Sequence, residues 1–234
     1  STRVILIILL ACTWIQACKD DDGERDESPM SSIAEYDPTP YQLNVGAFEQ
    51  PSIPPDNQLT VQGVRLGRML FYEKRMSKDG SISCASCHRQ EHAFTDTARF
   101  SEGVRGLKGG RQAMAVFNMA WNENEFFWDG RAHLLRNQSL KPVQDTLEMD
   151  ETVANVIEKL KNDQQYKDQF IRAFDSDEIT EEKMELALEQ FMNSIVSVES
   201  KYDRYLRGEA TLDTNEERGR VLFFAEYNPG FPSL

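Results

Sequence analysis

Positive charge is scarce in this chain. Lys and Arg total 26 against 39 Asp and Glu, a formal net charge of −13. A surface this acidic repels phosphate backbones, which excludes nucleic-acid binding, and it excludes docking on anionic lipid through a basic patch. It suits a soluble protein that meets cationic partners. Long apolar runs are also lacking. Residues 4–11 form the only one, too short to span a bilayer, so a polytopic membrane protein is excluded. Cysteine and histidine are sparse, at 4 and 3 residues. One C-x-x-C is present, but no second C-x-x-C or H-x-x-x-H follows to complete a zinc site. No convincing strand is found, and no βαβ pattern surrounds the cysteine pair to suggest a thioredoxin-like fold. With 40% hydrophobic and 28% charged residues the composition is that of an ordinary globular protein. The class read from these patterns is all-α.

What is present begins with an address. Arg3 precedes the apolar run, which fits the h-region of a secretory signal. The run leads into Ile15-Gln16-Ala17-Cys18, which resembles a bacterial lipobox with Cys18 as the lipidated residue. Cys12 is the weaker alternative because apolar residues still follow it. Residues 19–27 are acidic and cannot bury a core, so they read as a solvated tether. Acidic residues behind a lipidated cysteine resemble a surface-export signal. The expected location is the periplasm or the outer-membrane surface of a Gram-negative bacterium, with membrane contact only through the lipid. The expected organisation is a signal over residues 1–18, a tether over 19–40, a haem domain over 41–212 and the start of a second domain over 213–234.

The remaining cysteines lie in Ser83-Cys84-Ala85-Ser86-Cys87-His88. C-x-x-C-H is the attachment signature of c-type haem. Two thiols three positions apart reach the two vinyl groups on one edge of the porphyrin. His88 then lies beneath the ring and offers a nitrogen to iron. A redox disulfide or half a zinc site are the alternatives for the pair alone.

Five prolines punctuate residues 36–56, an extended lead-in. Leu59, Val64, Leu70 and Phe71 recur at helical spacing, and residues 101–112 form a Gly-rich, basic loop. A helical stripe runs over residues 152–174. A second helix is predicted over 181–198, with acids in its first turn. Thr214-x-x-Glu217 is read as a capping box opening a last helix. Leu66-Gly67-Arg68-Met69-Leu70-Phe71-Tyr72 is echoed by Arg218-Gly219-Arg220-Val221-Leu222-Phe223-Phe224. The echo predicts a second haem motif beyond Leu234, so that the sequence is incomplete at both ends, Ser1 standing without an initiator Met.

These residues resemble the bacterial dihaem cytochrome c peroxidase family, which includes the methylamine-utilisation type. The likeness runs from about Leu59 to Phe224. It rests on Cys84 through His88, on Ala93-Phe94-Thr95-Asp96, and on Arg111 through Asn118. It continues in Phe127-Trp128-Asp129-Gly130-Arg131-Ala132 and in Gln138, Pro142, Glu148 and Met149 at the family's spacing. The resemblance implies a cytochrome c-like haem domain of short helices and long loops, with haem c, and the first helix of a second haem domain. His88 would ligate iron. Glu148 would be the distal carboxylate, a single group able to act first as base and then as acid on peroxide. Gln138 and Pro142 would shape the distal pocket, and Trp128 would relay electrons between haems. Asp129 and Arg131 would fix their loop, through a haem propionate. The Gly-rich loop has none of the histidine that blocks the resting haem in some members, which implies an open haem. Gln112 stands where members often place Asn at an inter-haem calcium, so Gln112 is a candidate calcium ligand and calcium a candidate cofactor.

The function implied is reduction of hydrogen peroxide to water, with electrons from a small cytochrome c or cupredoxin; a homodimer is also an expected state. Two competitors remain. A monohaem electron-transfer cytochrome would use His88 and Met149 as axial ligands. A maturation oxidase of the methylamine-utilisation type would act on a partner protein. Met114 and Met119 are read as helical core, and His92 and His133 as loop or surface residues.

Overall fold

The computed structural model describes residues 33–122 and 125–225. The signal, Cys18, most of the acidic tether and residues 226–234 lie outside them. Among the described residues the structure is helical and loop-rich. Strand pairing is limited to isolated bridges, so the all-α class holds.

Residues 34–60 form an irregular lead-in with two turns and end at α1 (Val61–Tyr72). Thr60 caps α1 by accepting from the Gly63 amide at 3.0 Å. The centre of the fold is the crossing of α1 with α7 (Glu181–Ser194), and two glycines permit it. A Cβ on Gly67 would sit 1.9 Å from the Ala187 carbonyl oxygen, and one on Gly63 would sit 2.1 Å from Gln190 Oε1. Leu66, Leu70 and Phe71 of α1 and Met184 and Leu188 of α7 are buried at this crossing, with Met76 behind them.

The stripe over residues 152–174 is two helices, α5 (Val153–Leu160) and α6 (Gln164–Phe174). Asp163 breaks it by capping α6, accepting from the Gln165 amide, while its other oxygen takes Arg75 Nη2 at 2.9 Å. The helix expected over 181–198 stops at Ser194. Beyond it, Asn118 exchanges hydrogen bonds with Ser197 and donates its amide to the Ile195 carbonyl, which holds that segment extended. A short α8 (Lys201–Leu206) precedes α9 (Thr214–Phe224). The last capping box sits one residue earlier than the sequence suggests. Asp213 is the N-cap, and Glu216 reaches back to its amide. No residue of α9 is buried, and Phe223 is 83% exposed.

Three one-turn helices bring the site residues together: α2 (Cys84–Cys87), α3 (Leu135–Ser139) and α4 (Lys141–Gln144). Buried Glu189 of α7 anchors α3. Its carboxylate pairs with Arg136 Nη2 at 2.9 Å and accepts from Asn57 Nδ2 at 2.7 Å. Arg136 in turn reaches Asp56, so this buried charge is fully partnered.

Candidate active site

Cys84, Cys87 and His88 stand at positions i, i+3 and i+4 of one helical turn, which puts them on one face. The turn is closed by the His88 amide donating to the Cys84 carbonyl at 2.9 Å. The Ser83 amide donates to Ser86 Oγ at 3.0 Å. All three side chains open into one cavity of about 350 Å³, within the size range of cofactor pockets. Burial pushes the Cys84 thiol up to about 12 and raises Cys87 as well. Burial lowers the His88 pKa, so its imidazole is neutral and able to ligate.

Ala93 and Phe94 both adopt the left-handed conformation, at φ 56° and 54°, which for non-glycine residues costs energy and clusters at functional sites. This reversal carries the Phe94 carbonyl back to His88 Nδ1, 3.0 Å away. Val116 donates its amide to the same oxygen. With Nδ1 donating to a carbonyl, Nε2 is the nitrogen that would ligate, although the ring also has a backbone hydrogen bond to Met114. Two thiols and an anchored imidazole on one wall of a largely apolar cavity therefore fit a covalently attached haem. Cys84, Cys87 and His88 would hold it.

Further lining comes from α3, α4 and the turn after them. Gln138 and Pro142 line the cavity, as does Glu148. Asp145 organises the turn. Its carbonyl accepts from the amides of Glu148 and Asp150, both at 3.0 Å, and its Oδ1 accepts from the Leu147 amide. The turn brings both Glu148, which is exposed, and Met149, which is 3% exposed, to the lining of the cavity. The Glu148 carboxyl has no hydrogen bond or ion pair among the described residues. Solvent reaches it through the cavity, but the protein around it desolvates its charge. Its pKa is raised, by that desolvation first and by Asp145 second.

Trp128 stands at the tip of a small loop closed by the Phe126 and Ala132 backbones. The loop turns at Phe127 (φ 67°) and Gly130 (φ 68°). A Cβ on Gly130 would also lie 3.0 Å from Glu125 Cβ, so glycine is required there. Asp129 bridges Arg111 and Arg131, and the Arg131 guanidinium lies 3.5 Å from the centre of the Phe127 ring. The Trp128 indole is 63% exposed, yet its N–H is fixed to the Gln112 carbonyl at 3.0 Å. The Gln112 side chain donates to the Asp96 carbonyl at 3.2 Å, leaving Oε1 as the atom a cation would use. Among the described residues no three His, Cys, Asp or Glu side chains converge as a metal cluster.

The protein around this cavity also matches known chains. Residues 61–211 match the di-haem cytochrome c peroxidase family. The chain belongs to that family. The methylamine utilization protein MauG of Methylophilus methylotrophus is 31% identical over 180 residues, covering 75% of this chain and 53% of that protein. The cytochrome c551 peroxidase of Nitrosomonas europaea is 36% identical over 159 residues, covering 68% of this chain and 47% of its own length. Among solved structures, a MauG-like protein associated with microbial copper homeostasis superimposes with a TM-score of 0.72 at 33% identity, covering 79% of this chain and 55% of its own. The chain thus spans about half the length of the curated relatives it matches.

As a di-haem peroxidase family member, the chain brings every expected cavity residue to one place: Cys84, Cys87, His88, Gln138, Pro142, Glu148 and the edge of Trp128. Met114 departs from expectation. It lies in extended backbone and lines the cavity, because residues 113–116 run beside the Phe94 reversal instead of forming a helix. Met119 lines it from a single 3₁₀ turn. His133 pairs with Glu125 at 2.6 Å on the surface. Sequence reasoning missed Asp145 and Glu102 as cavity acids and the ion pair of Arg105 with Asp150. An Asp three residues before Glu148 is the signal that could have revealed the first.

Proposed function

We propose that this chain is the peroxide-reducing half of a haem peroxidase. The observation that carries the proposal is the free Glu148 carboxyl in the same cavity as Cys84, Cys87 and His88. The haem, when attached, supplies an iron site that binds peroxide and accepts electrons. The overall change is one hydrogen peroxide, two electrons and two protons to two waters. Glu148 takes a proton from the inner peroxide oxygen and returns one to the outer oxygen as it leaves as water. Its raised pKa suits a group that must hold and release a proton. His88 keeps its ligand nitrogen aimed through the Phe94 carbonyl. Gln138 and Pro142 shape the pocket, and Trp128 sits at the protein edge where electrons would enter from another haem. The electron source would be a small cytochrome c or cupredoxin, favoured by the acidic surface if it is basic. Attachment of haem c fits export, with Cys18 as the lipid anchor.

The test is peroxide-dependent oxidation of a reduced donor by the haem-loaded protein and by Glu148→Gln. The variant is expected to lose about 100- to 10,000-fold in kcat. Equal rates would sink the assignment. Met149 lines the same cavity, so a methionine–iron absorption in the near infrared, lost in Met149→Ala, would instead mark a monohaem electron-transfer protein. Relatives named methylamine utilization proteins support a second reading, peroxide-driven oxidation of a partner protein. Consumption of peroxide without any small donor, in the presence of a partner, would favour it.

A further inference from the structure

The Glu148 carboxyl is held by nothing of its own, so its place is set by the backbone beneath it. That backbone is gripped from outside the turn. The Gly-rich loop approaches so closely that a Cβ on Gly103 would lie 2.1 Å from the Leu147 carbonyl oxygen and 2.5 Å from that of Glu148. The Val104 amide donates to the Glu148 carbonyl at 2.9 Å. Arg105 then forks onto the Asp150 carboxylate through Nε and Nη2, both at 2.7 Å. Lys78 adds Nζ to the same carboxylate at 2.9 Å, and its amide donates to the Met149 carbonyl at 3.0 Å. Asp150 holds a left-handed backbone, φ 50°, and its side chain is only 8% exposed. Aspartate is among the few residues that accept that conformation. Gly103, Gly109, Gly110 and Arg111 of the same loop line the cavity rim.

We infer that Arg105, Asp150 and Lys78 form a positioning clamp, which locks the Gly-rich loop to the turn and thereby fixes both the stance of Glu148 and the open rim of the cavity. The inference rests on the peroxidase reading for its catalytic consequence, though the clamp itself does not. A planar fork on a carboxylate gives orientation as well as attraction. Without it the loop is free to slide across the rim, and Glu148 moves with its backbone. A displacement of about 1 Å there is enough to cost up to about 100-fold in rate.

The experiment compares the haem-loaded parent with Arg105→Gln, Arg105→Lys, Asp150→Asn and the Arg105→Gln/Asp150→Asn pair. Asp150→Asn keeps a residue that tolerates the left-handed backbone, so folding is preserved. Hydrogen exchange at Val104 and at residues 148–150 is expected to quicken at least about 10-fold in Arg105→Gln and Asp150→Asn, with exchange in α7 unchanged. Cyanide association with the ferric haem is expected to slow as the loop encroaches. The kcat for peroxide should fall about 10- to 100-fold with the donor KM unchanged. Arg105→Lys should recover part of each change, and the double variant should be no worse than the single ones. Unchanged exchange at Val104 would overturn the clamp. Faster exchange with unaltered cyanide binding and kcat would overturn its positioning role. A parent that binds cyanide but does not turn over peroxide would instead overturn the peroxidase reading, and exchange and cyanide rates would still decide on the clamp.

Discussion

At Glu148, desolvation works against the charge that the proposed base would need. The surrounding protein desolvates the carboxyl in part and raises its pKa above the ordinary carboxylate value, so the folded protein binds a proton there more tightly than the unfolded chain does. Between the unfolded and folded pKa values, folding stability therefore falls as pH rises. Above that window the charged carboxylate is a standing cost of the fold. Glu148→Gln is expected to raise the melting temperature of the haem-loaded protein at neutral pH while removing turnover, a stability–function opposition that thermal unfolding and peroxide kinetics read together. The same shift sets the acid limb of kcat above the usual carboxylate range, and the limb should vanish in the variant. A variant less stable than the parent at neutral pH would contradict the sign. His88 and the cysteine pair stand out in the sequence because C-x-x-C-H is a short spacing, whereas Glu148 is picked out only through the family resemblance and its spacing from Gln138 and Pro142. The Arg105–Asp150 pair was not legible, since its partners stand 45 residues apart and meet only through the tertiary path of two loops.

Among the elements, the α1–α7 crossing is the most exacting. The periodicity of α1 announced its buried face, but nothing in the sequence said that Gly63 and Gly67 would meet α7 backbone and side chains. Gly67→Ala places a methyl 1.9 Å from the Ala187 carbonyl oxygen and 2.6 Å from Phe191 Cβ. Backbone cannot yield as a flexible side chain would, so the substitution is expected to cost about 1–3 kcal/mol despite the better helix propensity of alanine. Denaturant unfolding would check this, and a stabilised variant would refute the packing described. The break between α5 and α6 was equally hidden. A polar interval in a helical stripe suits a continuous helix or two, and the Asp163 side chain decided it by capping. One position's ambiguity also displaced the last capping box, because Asp213 and Thr214 are both good N-caps.

Across the whole molecule, stability is spread unevenly. The α1–α7 core buries most of its large side chains, whereas α9 buries none and exposes Leu222, Phe223 and Phe224. Elements with few buried apolar contacts open at low free energy. The amides of α9 are expected to exchange orders of magnitude faster than those of α7 in the haem-loaded protein, by hydrogen exchange and mass spectrometry. Equal protection would mean that another surface covers α9 in solution. Trp128, at the cavity, is also 63% exposed, its indole N–H held by one hydrogen bond to the Gln112 carbonyl.

The Asp145 turn has a wider consequence. Glu148 and Met149 are chain neighbours that line the same cavity, the first exposed and the second 3% exposed. A carboxylate and a thioether thus differ in availability only by the phase of a few backbone hydrogen bonds. Deleting one residue between Asp145 and Glu148 would rotate that phase and offer sulfur where oxygen now stands, an outcome that a near-infrared sulfur–iron absorption would reveal. At this site a shift of one residue would decide whether oxygen or sulfur meets the open space of the cavity.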